Sequence, residues 1–158
     1  MCIIFVIVNY TISNMTRPKN NRLIHQPPVF TEFKPSGIKG RDLDSITLSI
    51  DEFEAIRLAD LLHYTHEDAA NEMNISRSTF SRLVDKAREK MAEMLINGKR
   101  IVIDGGNIHF KKNIMKCQNC GHLFETNIIT DIKKCPNCKS SQLINLAGGF
   151  GHGKCCVE

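Results

Sequence analysis

Between Ser49 and Leu95 apolar residues recur every three or four positions, and two interruptions cut the pattern into three helices. The first follows a capping box, Ser49 answered by Glu52, and carries Ile50, Phe53, Ile56 and Leu61 before ending near Leu62. The second opens on Thr65, a good N-cap residue with Asp68 three positions on, and lasts about two turns from His66. Met73, Asn74 and Ile75 break it, since Asn is one of the few residues besides glycine that tolerates a left-handed backbone. Ser76 caps the third, in which Phe80, Leu83, Val84, Ala87, Met91 and Leu95 mark one buried stripe. Ala70 is the small residue that lets the last two helices cross closely, and Ala69, Met73 and Ile75 supply the local core. Two helices cannot bury such a stripe unaided, so the pattern predicts a helix-turn-helix supported by the helix before it.

The polar side of the third helix is the first candidate for function. With Phe80 at the middle of the buried side, a rotation of about 100° per residue sets Ser78, Arg82 and Asp85 opposite it, with Ser81 and Lys86 on the flanks. An Arg on the N-terminal half of a recognition helix can bond guanine bidentately in the major groove, and a Ser hydroxyl suits either base type or a phosphate. Arg77 and Lys86 would then lie nearer the sugar-phosphate rails. The bland counterpart is a helical hairpin with a solvated charged face, but cap, small residue, turn and second cap all agree with the sharper reading.

Around this centre the pattern is less regular. After Leu95, Asn97-Gly98 is a helix stop, and Ile101-Val102-Ile103 before Asp104-Gly105-Gly106 reads as a short strand and turn, closing a domain over residues 49–106. Residues 107–116 are a basic linker with Lys111, Lys112 and Lys116. Upstream, residues 15–48 form a basic arm with Pro18, Pro27, Pro28, Pro35, Gly37 and Gly40, where little regular structure is expected. Arg17, Lys19 and Arg22 could follow a DNA groove from such an arm, and the competing reading is a disordered tail. Val29, Phe30 and Phe33 are expected to pack on the helical domain. Residues 1–14 carry an apolar run too short to span a bilayer and without the features of a secretory signal. Met15 looks the more natural start of translation than Met1, an expectation that the intact mass of the native protein checks: a mass including residues 1–14 would sink it.

The chemistry of the remainder lies in cysteines. Cys117-Gln-Asn-Cys120 and Cys135-Pro-Asn-Cys138 give C-x2-C-x14-C-x2-C, the spacing of a two-knuckle zinc site. Two intervening residues let each pair bend round one ion, and Zn²⁺ with four thiolates keeps no open position for catalysis. Iron in a rubredoxin-like site is the chemical rival, and a redox dithiol fits less well because there are two matching pairs. Leu123, Phe124, Ile128, Ile129 and Ile132 suggest short strands between the knuckles, so residues 117–146 read as a zinc ribbon, too small to fold without its metal. His122 is expected near the site rather than in it. The tail, residues 147–158, carries His152, Cys155 and Cys156, which could bind a second metal or sense oxidation, or simply lie on a flexible Gly-rich end. The expected fold is therefore mainly α: a three-helix helix-turn-helix domain followed by a small β zinc ribbon.

Composition adds little to this except through the placement of charge. The 158 residues are 42% hydrophobic, as in a globular protein, and carry a net charge of +4. Residues 1–41 carry +5, residues 42–98 carry −6 and residues 99–158 carry +5, so basic flanks enclose an acidic helical middle. Such flanks favour a polyanionic partner, although Lys-rich segments also serve solubility. No stretch reaches the roughly 20 apolar residues of a membrane helix, and thiolates kept as ligands point to a reducing cytoplasm.

The runs RPKNNRLI, LSIDEFEAIRLADL and HEDAANEMNISRSTFSRLVDKAREKMAEMLINGKRIVIDGG, in that order, resemble the prokaryotic family of uncharacterised proteins called domain of unknown function 134. The likeness covers roughly residues 15–106. That family is similar to the region-four helix-turn-helix of sigma factors, which implies DNA binding without naming a target, and some members carry a zinc-ribbon extension. Asn21 and His25 stand where members commonly have cysteines, so the resemblance does not carry a metal or redox role to this arm. The combined expectation is a cytoplasmic transcriptional regulator that binds double-stranded DNA as a homodimer and holds a structural zinc ion. The alternative is an adaptor that docks on RNA polymerase or another protein without specific DNA contact. No nucleophile–base set or phosphate-cradling loop is legible, so an enzyme is not expected.

Overall fold

The computed structural model describes residues 21–127 and 132–150. Its centre is helical. Helix α1, Ile50–Ile56, starts at the Ser49–Glu52 capping box, where the Ser49 N–H donates to Glu52 Oε2 at 2.9 Å, and it runs on through a π-type turn at Arg57–Leu61. Helix α2, His66–Glu72, is capped by Thr65, whose Oγ1 accepts from the Asp68 N–H at 3.2 Å. Asn74 takes the left-handed conformation at φ 54°, turning the chain into α3, Arg77–Asn97, where Ser76 Oγ accepts from the Thr79 N–H at 3.3 Å. Gly98, at φ 63°, ends α3.

Phe80, Leu83, Val84 and Ala87 are buried against α1 and α2, but the stripe expected to reach Leu95 stops short of it. Met91 is only partly covered, and Leu95 remains 75% exposed. At 1.5 Å per residue α3 is about 31 Å long, while α1 and its π-type turn together span roughly 18 Å, so α3 outruns its partner.

The strands correct the expected fold class: the protein is α/β and not mainly α, with three helices set among three small sheets in the described residues. Strands β1 (Arg22–Ile24), β2 (Glu32–Phe33) and β3 (Ser45–Leu48) all come from the segment expected to hold little regular structure. Their partners lie beyond α3: β4 (Arg100–Ile103) pairs antiparallel with β2 and parallel with β3, and β5 (Ile108–Phe110) pairs parallel with β1. Ile46 faces Ile101 and Leu48 faces Ile103 in that register. Pro27, Pro28 and Pro35 lie between strands and interrupt none of them. Strands of two to four residues carry too little periodicity to be read alone, and only pairing with a distant segment completes their hydrogen bonds.

Ile24, Leu48, Ile101, Ile103 and Phe110 join Leu58, Met73, Phe80 and Val84 in one core. Each fully buried side chain of this size contributes roughly 1.5–3 kcal/mol. The third sheet, ordered β7–β6–β8, is antiparallel and built from β6 (Asn113–Cys117), β7 (Leu123–Thr126) and β8 (Leu143–Asn145). Just past it the chain returns to the helices: Ala147 is fully buried in the main core, and the Phe150 ring lies 6.3 Å from that of Phe110. No helix among the described residues is long and apolar enough to cross a membrane.

Candidate metal centre and basic helix face

Two turns with the same backbone closure bring the four cysteines together. Cys117 ends β6, and after Cys120 the chain turns left-handed at Gly121, φ 72°, whose N–H donates to the Cys117 carbonyl at 2.9 Å. After Cys138 it turns left-handed at Lys139, φ 60°, whose N–H donates to the Cys135 carbonyl at 3.0 Å. The Sγ atoms of the four cysteines all lie within 4.8 Å of one another. Cys117 Sγ is 3.5 Å from Cys138 Sγ, and Cys120 Sγ is 3.7 Å from Cys135 Sγ. A tetrahedral zinc site with bonds of about 2.3 Å has edges of about 3.8 Å, so the donor set suits such an ion in number, softness and spacing.

Cys117 and Cys135 are buried at the base of this cluster, Cys138 is half-buried and Cys120 is exposed. The backbone N–H of Ser140 is the main influence holding the Cys138 thiol down to about 6, with sulfur and Asn119 contacts adding to it. Stabilising the thiolate form favours metal ligation. The His122 ring stacks on Phe124 at 5.7 Å and lies outside the four-sulfur group. Leu123 and Phe124 sit on β7 as expected, whereas Ile132 lies outside the strands. Ile128 and Ile129, like His152, Cys155 and Cys156, fall outside the described residues.

On α3, Arg77, Ser78, Arg82 and Lys86 are exposed, and among the described residues no ion pair engages Arg77, Arg82 or Lys86. The next cations along the helix differ: Arg88 pairs with Asp60 at 2.6 Å and Lys90 with Glu52 at 2.6 Å. Ser81 is half-buried, its Oγ 2.9 Å from His66 Nδ1, and the same imidazole meets the Phe80 ring edge-on at 5.4 Å. Ser81 therefore ties α2 to α3. Arg22 is likewise not part of an extended arm, because it lies on β1 and its guanidinium pairs with the buried Asp51 carboxylate. Arg17 and Lys19 fall outside the described residues.

The sequence reading missed a polar cluster under α1. Glu54 is fully buried; Arg57 grips both its oxygens, and the His25 N–H donates to Oε1 at 3.2 Å. The three-residue spacing of Glu54 and Arg57 was the one available signal. A cleft of about 420 Å³ opens between this cluster and the third sheet, lined by His25, Arg57, Tyr64, Glu72, Phe124 and Glu125. Its polar groups are answered within the chain: Arg57 pairs with Glu54 and Glu125 with Lys112, and His25 Nε2 lies 2.9 Å from a Glu72 carboxylate oxygen.

Fold and site together define a small α/β protein with a four-cysteine cluster able to hold a metal ion such as zinc. The family model described as "Protein of unknown function DUF134" matches residues 12–111, and the chain belongs to that family. A UPF0251 protein of Pelotomaculum thermopropionicum is 44% identical over 126 residues, covering 80% of this chain and 95% of its own. One from Chloroherpeton thalassium is 37% identical over 143 residues, covering 89% and 95%, and one from Halothermothrix orenii is 45% identical over 111 residues, covering 70% and 82%. No solved structure matches the chain.

Proposed function

We propose that this protein binds double-stranded DNA sequence-specifically and regulates transcription, with zinc as a structural ion in its cysteine cluster. The observation that carries the reading is the cluster of exposed cations on the N-terminal half of α3 that no ion pair engages among the described residues, beside a helix pair joined by a tight capped turn. Among the described residues, structural ion pairs account for Arg88 and Lys90, but not for Arg77, Arg82 and Lys86. With α3 in the major groove, Arg82 and Ser78 reach base edges while Arg77 and Lys86 meet phosphates. Ser81, held by His66, orients α3 rather than reading a base.

One such unit covers a short site, so we take the binding species to be a homodimer whose half-sites lie about 34 Å apart. Four thiolates leave a zinc ion no free position for substrate, and the reading is non-enzymatic. A reducing cytoplasm, which keeps these thiolates as ligands, is the compartment it implies.

Selection of bound duplexes from a random pool by the zinc-loaded protein tests the proposal. Recovery of an inverted repeat is the expected result. Absence of enrichment, together with retention of RNA polymerase by the immobilised protein, would replace this reading with that of an adaptor.

A further inference from the structure

The metal centre has two kinds of sulfur. Cys117 and Cys135 are fully buried, whereas Cys120 and Cys138 face solvent to different degrees. Only the two solvent-facing sulfurs carry side-chain amide contacts among the described residues. Asn119 Nδ2 donates to Cys138 Sγ at 3.7 Å, and Asn137 Nδ2 donates to Cys120 Sγ at 3.8 Å. Each asparagine occupies the third position of its own C-x-N-C knuckle and reaches the second cysteine of the opposite one. The pattern is reciprocal, in keeping with the matching backbone turns of the two knuckles.

We propose that Asn119 and Asn137 form a crossed cap over the two solvent-facing thiolates, making this a centre that retains its metal and resists attack at sulfur. The inference rests on the reading that the four cysteines hold a metal ion. An N–H directed at a thiolate withdraws electron density from it, lowering its basicity and its nucleophilicity toward an external electrophile. The same contact orients the ligand and locks each knuckle to the other. Burial already protects Cys117 and Cys135, so a donor is needed only where water and electrophiles can approach. The two asparagines are positioning residues and not ligands.

Competition between the bound metal and an alkylating reagent tests the cap on the full-length, zinc-loaded chain. N-ethylmaleimide is added while the zinc stays bound, with no chelator present, and the alkylated cysteines are mapped by peptide mass spectrometry. Asn119→Ala should raise alkylation at Cys138 several-fold with little change at Cys120, and Asn137→Ala should do the converse. Cobalt-loaded variants should show a thiolate-to-metal charge-transfer band moved to longer wavelength, because the uncapped sulfur is easier to oxidise. Equal acceleration at both cysteines, or none at either, would overturn the proposal. Asn119→Asp and Asn137→Asp preserve side-chain shape while removing the donor, and they carry the same crossed comparison where an alanine variant does not fold. Metal stoichiometry separates the two levels of the argument. A native chain that binds no ion overturns the metal reading and the cap with it, whereas one bound ion without the crossed pattern overturns the cap alone.

Discussion

Arg57 closes on Glu54 with two hydrogen bonds, Nη2 to Oε1 at 2.7 Å and Nε to Oε2 at 2.8 Å, and the carboxylate they hold is fully buried. The pair bolts α1 to the π-type turn that follows it and, through the His25 N–H, to the chain just after β1. Arg57→Met removes the counter-charge while keeping much of the aliphatic bulk. It should cost about 3–5 kcal/mol in chemical denaturation, because an unpaired carboxylate is left in the core. Replacing both residues with apolar ones should recover much of that loss; if the double variant is no more stable than Arg57→Met, the pair is not the origin of the cost.

Gly106 sits at φ 107°, and a Cβ there would come within 2.9 Å of Asp51 Oδ1, the carboxylate that Arg22 anchors. Gly106→Ala should therefore destabilise the protein by roughly 1–3 kcal/mol, from backbone strain and the close approach together. Gly98→Ala meets no neighbouring atom and should be the milder of the two, since only its φ of 63° resists the change. Thermal unfolding of the two variants side by side checks the order.

If α3 reads DNA, its cations should separate by role. Arg82→Ala should weaken binding to the selected site by roughly 1–3 kcal/mol and relax one base preference. Arg77→Ala and Lys86→Ala should each lower the slope of log affinity against log salt by about 1, with base preference intact. Arg22→Ala belongs to a different class: its guanidinium is engaged with Asp51, so the expected change is in stability. Titrations at several salt concentrations distinguish these outcomes, and an unchanged Arg82→Ala would displace α3 from the groove.

The cysteine cluster gives a prediction for the metal-stripped protein. The Cys138 thiol is drawn from 9.0 to about 6, chiefly by the Ser140 N–H. A depressed folded-state value makes this contribution to stability complete above 9.0 and lost as pH falls through about 6. Without metal, Cys138 should react fastest with iodoacetamide at neutral pH, its rate falling as pH drops through about 6. Zinc should suppress that reaction, and chelation should release the β6–β7–β8 pairing while leaving the buried cluster around Phe80 and Val84 in place. Circular dichroism and amide exchange before and after chelation read both parts.

Local signals were enough for part of this protein. The caps at Ser49, Thr65 and Ser76, the left-handed Asn74 and the stop at Gly98 each depend on a few neighbouring residues, and each is where the pattern puts it. The C-x2-C pairs likewise announce their cluster, because the bend that joins two sulfurs is made within four residues. What the pattern could not give is whatever needs a partner far along the chain. Ile46 becomes part of a strand only because Ile101 lies opposite it, and Arg22 leaves the expected arm because Asp51 is buried beside β1. The same is true of Ser81, whose outward position on a helical wheel says nothing of His66 on the neighbouring helix. Helix caps and knuckles are fixed by short-range geometry, so the sequence alone determined them. Strand pairing, ion-pair choice and the exposure of Leu95 depend on which distant surfaces meet, and only the tertiary structure decided those.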